Sequence, residues 1–267
     1  MKRSINEIFK FRADRWVNYT PSVRPSPSEI LIYSKMISTA RETDSNCLIL
    51  GATPELRDMA CNLNLNVTVL DTNKYMINKM TGLMTRQNPT ENVIVGNWVD
   101  YDFVEQQFDF ILGDHVINML PLNQYASFVD KLYSLLKKDG NIVTRIITVP
   151  QNSLCTNDEA IQMYDHGTIK YNDLIWMICL NNAYNKDTNI ISYRELVLKG
   201  RKLFSDGLID KETLKQFEYY DDGMFLSALT QREYKDVFTT KFDIVETKFG
   251  NDYRFCKTMP IYKLAKK

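Results

Sequence analysis

Two residues carry the first readable chemistry in this chain. Gly51 closes the apolar run Cys47-Leu48-Ile49-Leu50, and Asp71 closes Val67-Thr68-Val69-Leu70. Each run is short, apolar and without helical period, which predicts a buried strand. A glycine after a strand lets the chain turn sharply and lets a ligand near the backbone. Between the runs, Pro54 suits a first helical position and Glu55 a first helical turn. Leu56, Met59, Ala60 and Leu63 then give one apolar helical face. The unit reads as strand, turn, helix, strand. Unpaired N–H groups at the helix start and a carboxylate at the next strand's tip meet at the mouth of a parallel sheet. That carboxylate can accept hydrogen bonds from both hydroxyls of a ribose. The plainer alternative is a crossover in which Asp71 only caps the next helix.

The glycine pattern narrows the ligand. A dinucleotide site needs G-x-G-x-x-G so that a pyrophosphate can approach the backbone. Here Gly51 is followed by Ala52, Thr53 and Pro54, and Pro54 removes an N–H. This disfavours NAD, FAD and nucleotide sugars. A ligand with a ribose and an amino-acid tail but no phosphate is compatible, and S-adenosylmethionine is such a ligand.

The segment Gly51-Ala52-Thr53-Pro54-Glu55-Leu56 resembles the glycine motif G-x-T-P-E-L of one branch of the class I S-adenosylmethionine-dependent methyltransferases. Further pieces match in the family's order: Val69-Leu70-Asp71, Val95-Gly96-Asn97-Trp98, Phe108 to Asp114, and Leu135 to Gly140. The resemblance implies a doubly wound, Rossmann-like α/β fold with a seven-stranded, mostly parallel sheet and an antiparallel last strand. It implies S-adenosylmethionine as cofactor, held by Gly51, Ala52, Thr53, Glu55, Asp71, Thr72, Asn97, Trp98, Asp114 and His115. Asn97 and Trp98 would flank the adenine. Asp114 and His115 would lie near the methyl group, His115 as a candidate base. One departure stands out: the family often has an acid two residues before the first glycine, and this chain has Ile49.

The elements that must position these groups follow from periodicity. Ile5, Ile8, Phe9 and Trp16 suggest a short amphipathic helix, and residues 19–27 a turn-rich connector. In the resembling family this segment covers the cofactor. Ser28 with Glu29 opens a helix running to about Arg41. Residues 73–84 and 121–137 read as crossover helices, the second ended by Asp139-Gly140. Val93 to Val95 and Phe108 to Leu112 are further strands. Ile142 to Ile147 is a fifth, with Arg145 inside it. A buried arginine must find an anion, either in a structural ion pair or in an acidic substrate. Residues 149–228 break the alternation with helices at 158–166, 171–184 and 193–204, then a charged stretch through Asp222. This insertion over the carboxyl edge of the sheet reads as a lid. Tyr164 and Trp176, with Arg145, are its candidate substrate-binding residues. Thr230 to Glu233 is a capping box. Phe242 to Phe249 and Met259 to Leu264 are closing strands. The organisation expected is an N-terminal cover (1–27), a cofactor-binding core (28–148), a helical lid (149–228) and a final helix with two strands (229–267).

Composition sets the outer bounds. The chain has 267 residues, formal net charge +0, five cysteines and two histidines. The zero balance and lack of a basic block disfavour a nucleic-acid partner. The scattered cysteines have no metal-ligand spacing and read as reduced thiols of a cytoplasmic protein. No metal site is expected, and no signal peptide or membrane span stands out. The function expected is methyl transfer to O, N or S of a small molecule or modified peptide. The alternative is a methyltransferase-fold subunit that binds without turnover, and a homodimer stays open as the role of the extra helices.

Overall fold

The computed structural model describes residues 1–267 except 1–3, 20, 39–43, 87, 152–154 and 221–222. The helix end expected at Arg41 and the charged tail at Asp221 and Asp222 lie outside the described residues. The chain begins with α1 (Ile5–Arg15), capped by a Ser4–Glu7 box, and α2 (Pro27–Ser38). The cap of α2 is Ser26 rather than Ser28. The Ser26 N–H donates to Glu29 Oε2 at 2.8 Å, and the Glu29 N–H donates to Ser26 Oγ at 3.2 Å. This is a capping box with Pro27 at the first helical position.

The alternating core follows: β1 (Asn46–Leu50), α3 (Pro54–Asn62), β2 (Asn66–Asp71), α4 (Lys74–Thr81), β3 (Asn92–Val95), β4 (Phe108–Asp114), α5 (Tyr125–Leu135) and β5 (Leu136–Arg145). The insertion holds α6 (Asn157–Asp165), α7 (Tyr171–Ile178), β6 (Tyr184–Asn185), β7 (Ile190–Ser192), α8 (Tyr193–Ser205), α9 (Lys211–Glu218) and β8 (Phe225–Ser227). The chain closes with α10 (Gln231–Phe238), β9 (Phe242–Lys248) and β10 (Ile261–Lys266).

The main sheet has seven strands in the order β3-β2-β1-β4-β5-β10-β9. β1 pairs parallel with β2 and β4, whereas β10 runs antiparallel to both β5 and β9. The expected fold class is thus observed. Order reverses between β1 and β4, and an open sheet forms its ligand crevice beyond the strand ends at such a point. Helices bury both faces: Leu48, Leu50, Ile111 and Ile142 pack against α5 and α10, while Cys47, Ile49, Val69 and Leu112 pack against α2 and α3.

Three local departures have physical causes. The helix expected to reach Lys137 stops at Leu135, because fully buried Leu136 pairs with Phe108 and starts β5. Gly140 therefore caps no helix. A Cβ there would lie 2.9 Å from Leu136 and 3.0 Å from the Asp109 carbonyl, so a close crossing of strands requires the glycine. The helix from Tyr171 gives way at Cys179 to one π turn, Cys179–Ala183. Strands β6, β7 and β8, which the sequence did not suggest, form a small antiparallel sheet.

Candidate functional site

The cleft lies beyond the carboxyl ends of β1, β2 and β4 and holds about 880 Å³. Gly51 turns out of β1 with φ +86°, a left-handed conformation that disfavours any side chain. Its N–H donates to the Leu70 carbonyl at 2.9 Å. The Trp98 indole Nε1–H donates to the same carbonyl at 2.8 Å, so the ring lies beside the turn. A Cβ on Gly51 would come 3.8 Å from Trp98 Cζ2. The backbone, not a side chain, therefore faces the space at that turn.

Asp71 ends β2 and is 6% exposed. Its Oδ1 accepts the Asn73 N–H at 2.8 Å. Burial pushes its carboxyl up to about 6, against the opposing effect of the backbone N–H groups of Asn73, Ala52 and Thr72. Asp71 is not the cap of α4. That role belongs to Asn73, whose Oδ1 accepts the Met76 N–H at 2.9 Å. A buried carboxylate with no capping duty, lining a cleft, has the properties of a ligand-binding acid.

Asp114 and His115 follow β4 at the same mouth. His115 has φ +57°, is 7% exposed, and its Nε2 is buried without a hydrogen-bond partner. A left-handed backbone and an unsatisfied polar atom in one residue are features that cluster at functional sites. Burial, aided by Arg145 and opposed by Asp114, pushes the imidazole down to about 3. It is neutral at physiological pH and too weak a base to be poised for proton abstraction. Its Nε2 lies 3.7 Å from Asp114 Oδ1, beyond hydrogen-bond distance, and keeps its hydrogen-bonding capacity.

Arg145 is fully buried and completely engaged. Its Nε and Nη2 donate to the two Asp114 oxygens at 2.6 and 3.1 Å, and Nη1 donates to Glu29 Oε2 and to the Pro21 carbonyl. Tyr253 donates to the other Glu29 oxygen at 2.6 Å. Burial opposes the arginine's charge, but Asp114 and Glu29 outweigh it and hold the guanidinium protonated. Burial likewise raises the Glu29 carboxyl, with Arg145 as the main opposing influence.

Of the residues singled out from the sequence, the cleft gathers Gly51, Ala52, Thr53, Asp71, Thr72, Trp98, Asp114 and His115. Five others stand apart from it. Glu55 turns to the N-terminal segment, where its Oε1 meets Arg24 Nη2 at 2.5 Å and accepts from Trp16 Nε1 at 3.4 Å. Asn97 is exposed and folds on its own loop, donating to Asp100 and accepting the Val99 N–H. Arg145 is spent on the ion-pair network. Tyr164 pairs with the Thr213 hydroxyl at 2.9 Å, and Trp176 lines a different cleft.

Sequence reading missed the far wall: Arg12, Met119, Ile147, Tyr193 and Leu226. Their contributions depend on long-range packing, and no local pattern marks them. Trp16 and Tyr19 do line the cleft, joined by Phe9, Ser22 and Val23. Met76 and Met80, whose spacing reads as core, serve both the core beneath α4 and the cleft wall.

The residues present fit a nucleoside with an apolar-faced base. Asp71 offers an acceptor for ribose hydroxyls, Trp98, Met76 and Met80 offer flat or soft apolar surface, and the Gly51 turn admits close backbone approach. Residues 51–140 match the family model described as a methyltransferase domain. No curated protein matches the sequence. Solved structures match along nearly the whole chain. One from Rhodobacter sphaeroides, provisionally named a Zn-dependent alcohol dehydrogenase, has TM-score 0.66 and 18% identity, covering 100% of both chains. An S-adenosylmethionine-dependent methyltransferase from Methanosarcina mazei has TM-score 0.56 and 15% identity over 91% of this chain and 98% of its own. The N-methyltransferase NodS from Bradyrhizobium japonicum, in complex with S-adenosylhomocysteine, has TM-score 0.54 and 11% identity over 97% and 98%. These likenesses are likenesses of fold. With the domain match over residues 51–140 they support a class I methyltransferase that uses S-adenosylmethionine. Among the described residues no group of three or more His, Cys, Asp or Glu is placed to hold a metal ion, and no helix is long and apolar enough to cross a membrane.

Proposed function

We propose that this chain, a methyltransferase of the G-x-T-P-E-L branch, methylates O, N or S of a small molecule or modified peptide in the cleft just described. The observation that carries this reading is that one covered cleft joins the Gly51 turn and Asp71 to a largely apolar wall of Met119, Ile147 and Leu226. The first half suits a nucleoside. The second half has room and surface for an apolar acceptor. Residues of α1 and of the segment after it close the cleft, which favours an acceptor small enough to be enclosed. A long nucleic acid, already disfavoured by the zero net charge, fits such a covered site poorly.

When bound, the cofactor supplies an electrophilic methyl group on a sulfonium whose departure leaves a neutral thioether. The protein therefore has little proton chemistry to perform. Its work is to hold two reactants in line in a dry space. Asp71 accepts the ribose hydroxyls, Trp98 and the two methionines pack the base, and Arg145 fixes the Asp114 carboxylate. His115, neutral and with its Nε2 free of a hydrogen bond, orients the acceptor's heteroatom by one hydrogen bond. The placement is cytoplasmic, consistent with five free cysteines.

A specific observation keeps the second reading in view. Ile49, where the family often has an acid, is fully buried in the core, so this chain has no carboxylate there for a cofactor amino group. A subunit that binds without turnover would tolerate that loss. The test is incubation with S-adenosylmethionine carrying a trideuterated methyl group, together with pools of small molecules and short peptides. Mass spectrometry then reads label in an acceptor. Labelled acceptor that disappears with Asp71→Ala supports transfer. Cofactor binding with no labelled acceptor in any pool supports the binding subunit.

A further inference from the structure

A second cleft, of about 1000 Å³, lies on the other side of residues 21–22 from the methyl-transfer cleft; Ser22 lines both. Its walls come from the start of α7, from residues 252–255 and from Pro21-Ser22. Neither the domain match nor the proposed transfer reaction uses it.

Three features of this cleft converge. Trp176 forms part of its wall, is 7% exposed, and its indole Nε1 is buried without a hydrogen-bond partner. Leaving a buried N–H unmade is costly, so an acceptor is expected nearby. The same wall carries the N-terminus of α7, whose cap residue is Lys170. A lysine side chain has no acceptor to offer, so the Tyr171 and Asn172 N–H groups lack a side-chain cap, while that of Asp173 donates to the Lys170 carbonyl at 3.0 Å. Side chains on a helix tilt towards its N-terminus, which brings the Trp176 ring back towards that end. The third feature is Arg254, an exposed cation on the opposite wall. Its described contact is a weak one, from Nη2 to the Met163 sulfur at 3.9 Å.

Two carboxylates also line the cleft, and both are committed. Asp252 accepts the Ser28 N–H at 3.0 Å and the Ser28 hydroxyl at 2.7 Å. Asp173 accepts the Lys170 N–H at 3.3 Å. The Trp176 indole N–H and the Tyr171 and Asn172 N–H groups have no described acceptor, whereas the Lys170 and Asp173 N–H groups are bonded within the turn.

We infer that this second cleft binds an oxyanion, a carboxylate or a phosphate group, between Arg254 and the N-terminal turn of α7, with the Trp176 indole as a third donor. Helix N-termini favour such groups through N–H donors and the helix dipole together. A guanidinium adds a forked donor suited to either anion.

The test uses the full chain, whose three tryptophans give three indole N–H resonances. The Trp176 resonance is assigned by Trp176→Phe. Inorganic phosphate and acetate are titrated separately at constant ionic strength. The expected result is a saturable shift of the Trp176 resonance with at least one of them, while that of Trp98, bonded to Leu70, stays still. Arg254→Gln, on an exposed side chain that leaves the core intact, should raise the apparent Kd at least fivefold. Saturation by phosphate alone identifies a phosphate-bearing ligand, and saturation by acetate as well extends it to carboxylates. No saturable shift with either anion, or equal affinity in Arg254→Gln, overturns the inference. None of these readouts depends on methyl transfer.

Discussion

Asp71→Asn separates a ligand-binding acid from a structural one. The wild-type carboxylate is buried and its pKa is pushed from 3.8 to about 6. A shift of that size corresponds to about 3 kcal/mol. Because the folded-state pKa is raised, Asp71's contribution to stability is whole below pH 3.8 and is lost as pH rises through about 6. At pH 7.5 the charged group therefore costs the fold free energy. An asparagine removes that cost but gives up charge-assisted bonds from the surrounding N–H groups, so Tm at pH 7.5 should stay level or rise by a few degrees. Cofactor binding should move the other way. Two hydroxyl bonds to a charged acceptor are worth about 1.5–3 kcal/mol each. The amide keeps one acceptor, so a net loss of about 2–4 kcal/mol follows, a Kd roughly 30- to 1000-fold higher. Calorimetric titration with S-adenosylhomocysteine and scanning calorimetry of the free protein read the two effects. A folded variant with unchanged affinity, or one that loses many degrees of Tm and keeps its affinity, would refute the reasoning.

Other consequences are as direct. Cofactor affinity of the wild-type protein should fall as pH drops below about 6, because the ionised Asp71 is the better acceptor; titrations at pH 5, 6 and 7.5 check this. His115→Ala should lower kcat/KM for the acceptor at least tenfold with little change in cofactor affinity. The imidazole, pushed down to about 3, should contribute no titrating limb to the rate between pH 5 and 8. Arg145→Met leaves Glu29 and Asp114 buried without their cation, which should cost about 3–5 kcal/mol of stability by denaturant titration. Gly51→Ala forces a side chain into φ +86°, which should cost about 1–2 kcal/mol and weaken cofactor binding beyond what the stability loss explains.

How much of this was readable from the sequence depended on how local each cause was. The β1–α3–β2 unit, the cap before α10 and the closing strands announce themselves through short-range pattern and turn chemistry, and all appear in the structure. Asp71 was legible because strand ends place their next residue at the sheet's edge whatever the rest of the chain does. Arg145 was legible only as a residue needing an anion. Which anion depended on Glu29, more than a hundred residues earlier, and on Asp114. Glu55 illustrates the opposite failure: its place in the motif suggested the cofactor, yet Arg24 and Trp16 claim its carboxylate. Asn97 likewise closes its own loop. Tyr164 and Trp176 are aromatic residues of the insertion, and composition cannot say which wall of a lid a ring faces. The three strands of the small sheet span only two or three residues each, too few for any period to show.

The cleft at Gly51 and Asp71 is proposed to hold S-adenosylmethionine. Isothermal titration of the purified protein with S-adenosylmethionine and, separately, with S-adenosylhomocysteine tests it most directly. One site per chain with micromolar or tighter affinity for both is expected, weakened at least thirtyfold by Asp71→Asn. A folded protein that binds neither ligand would contradict it.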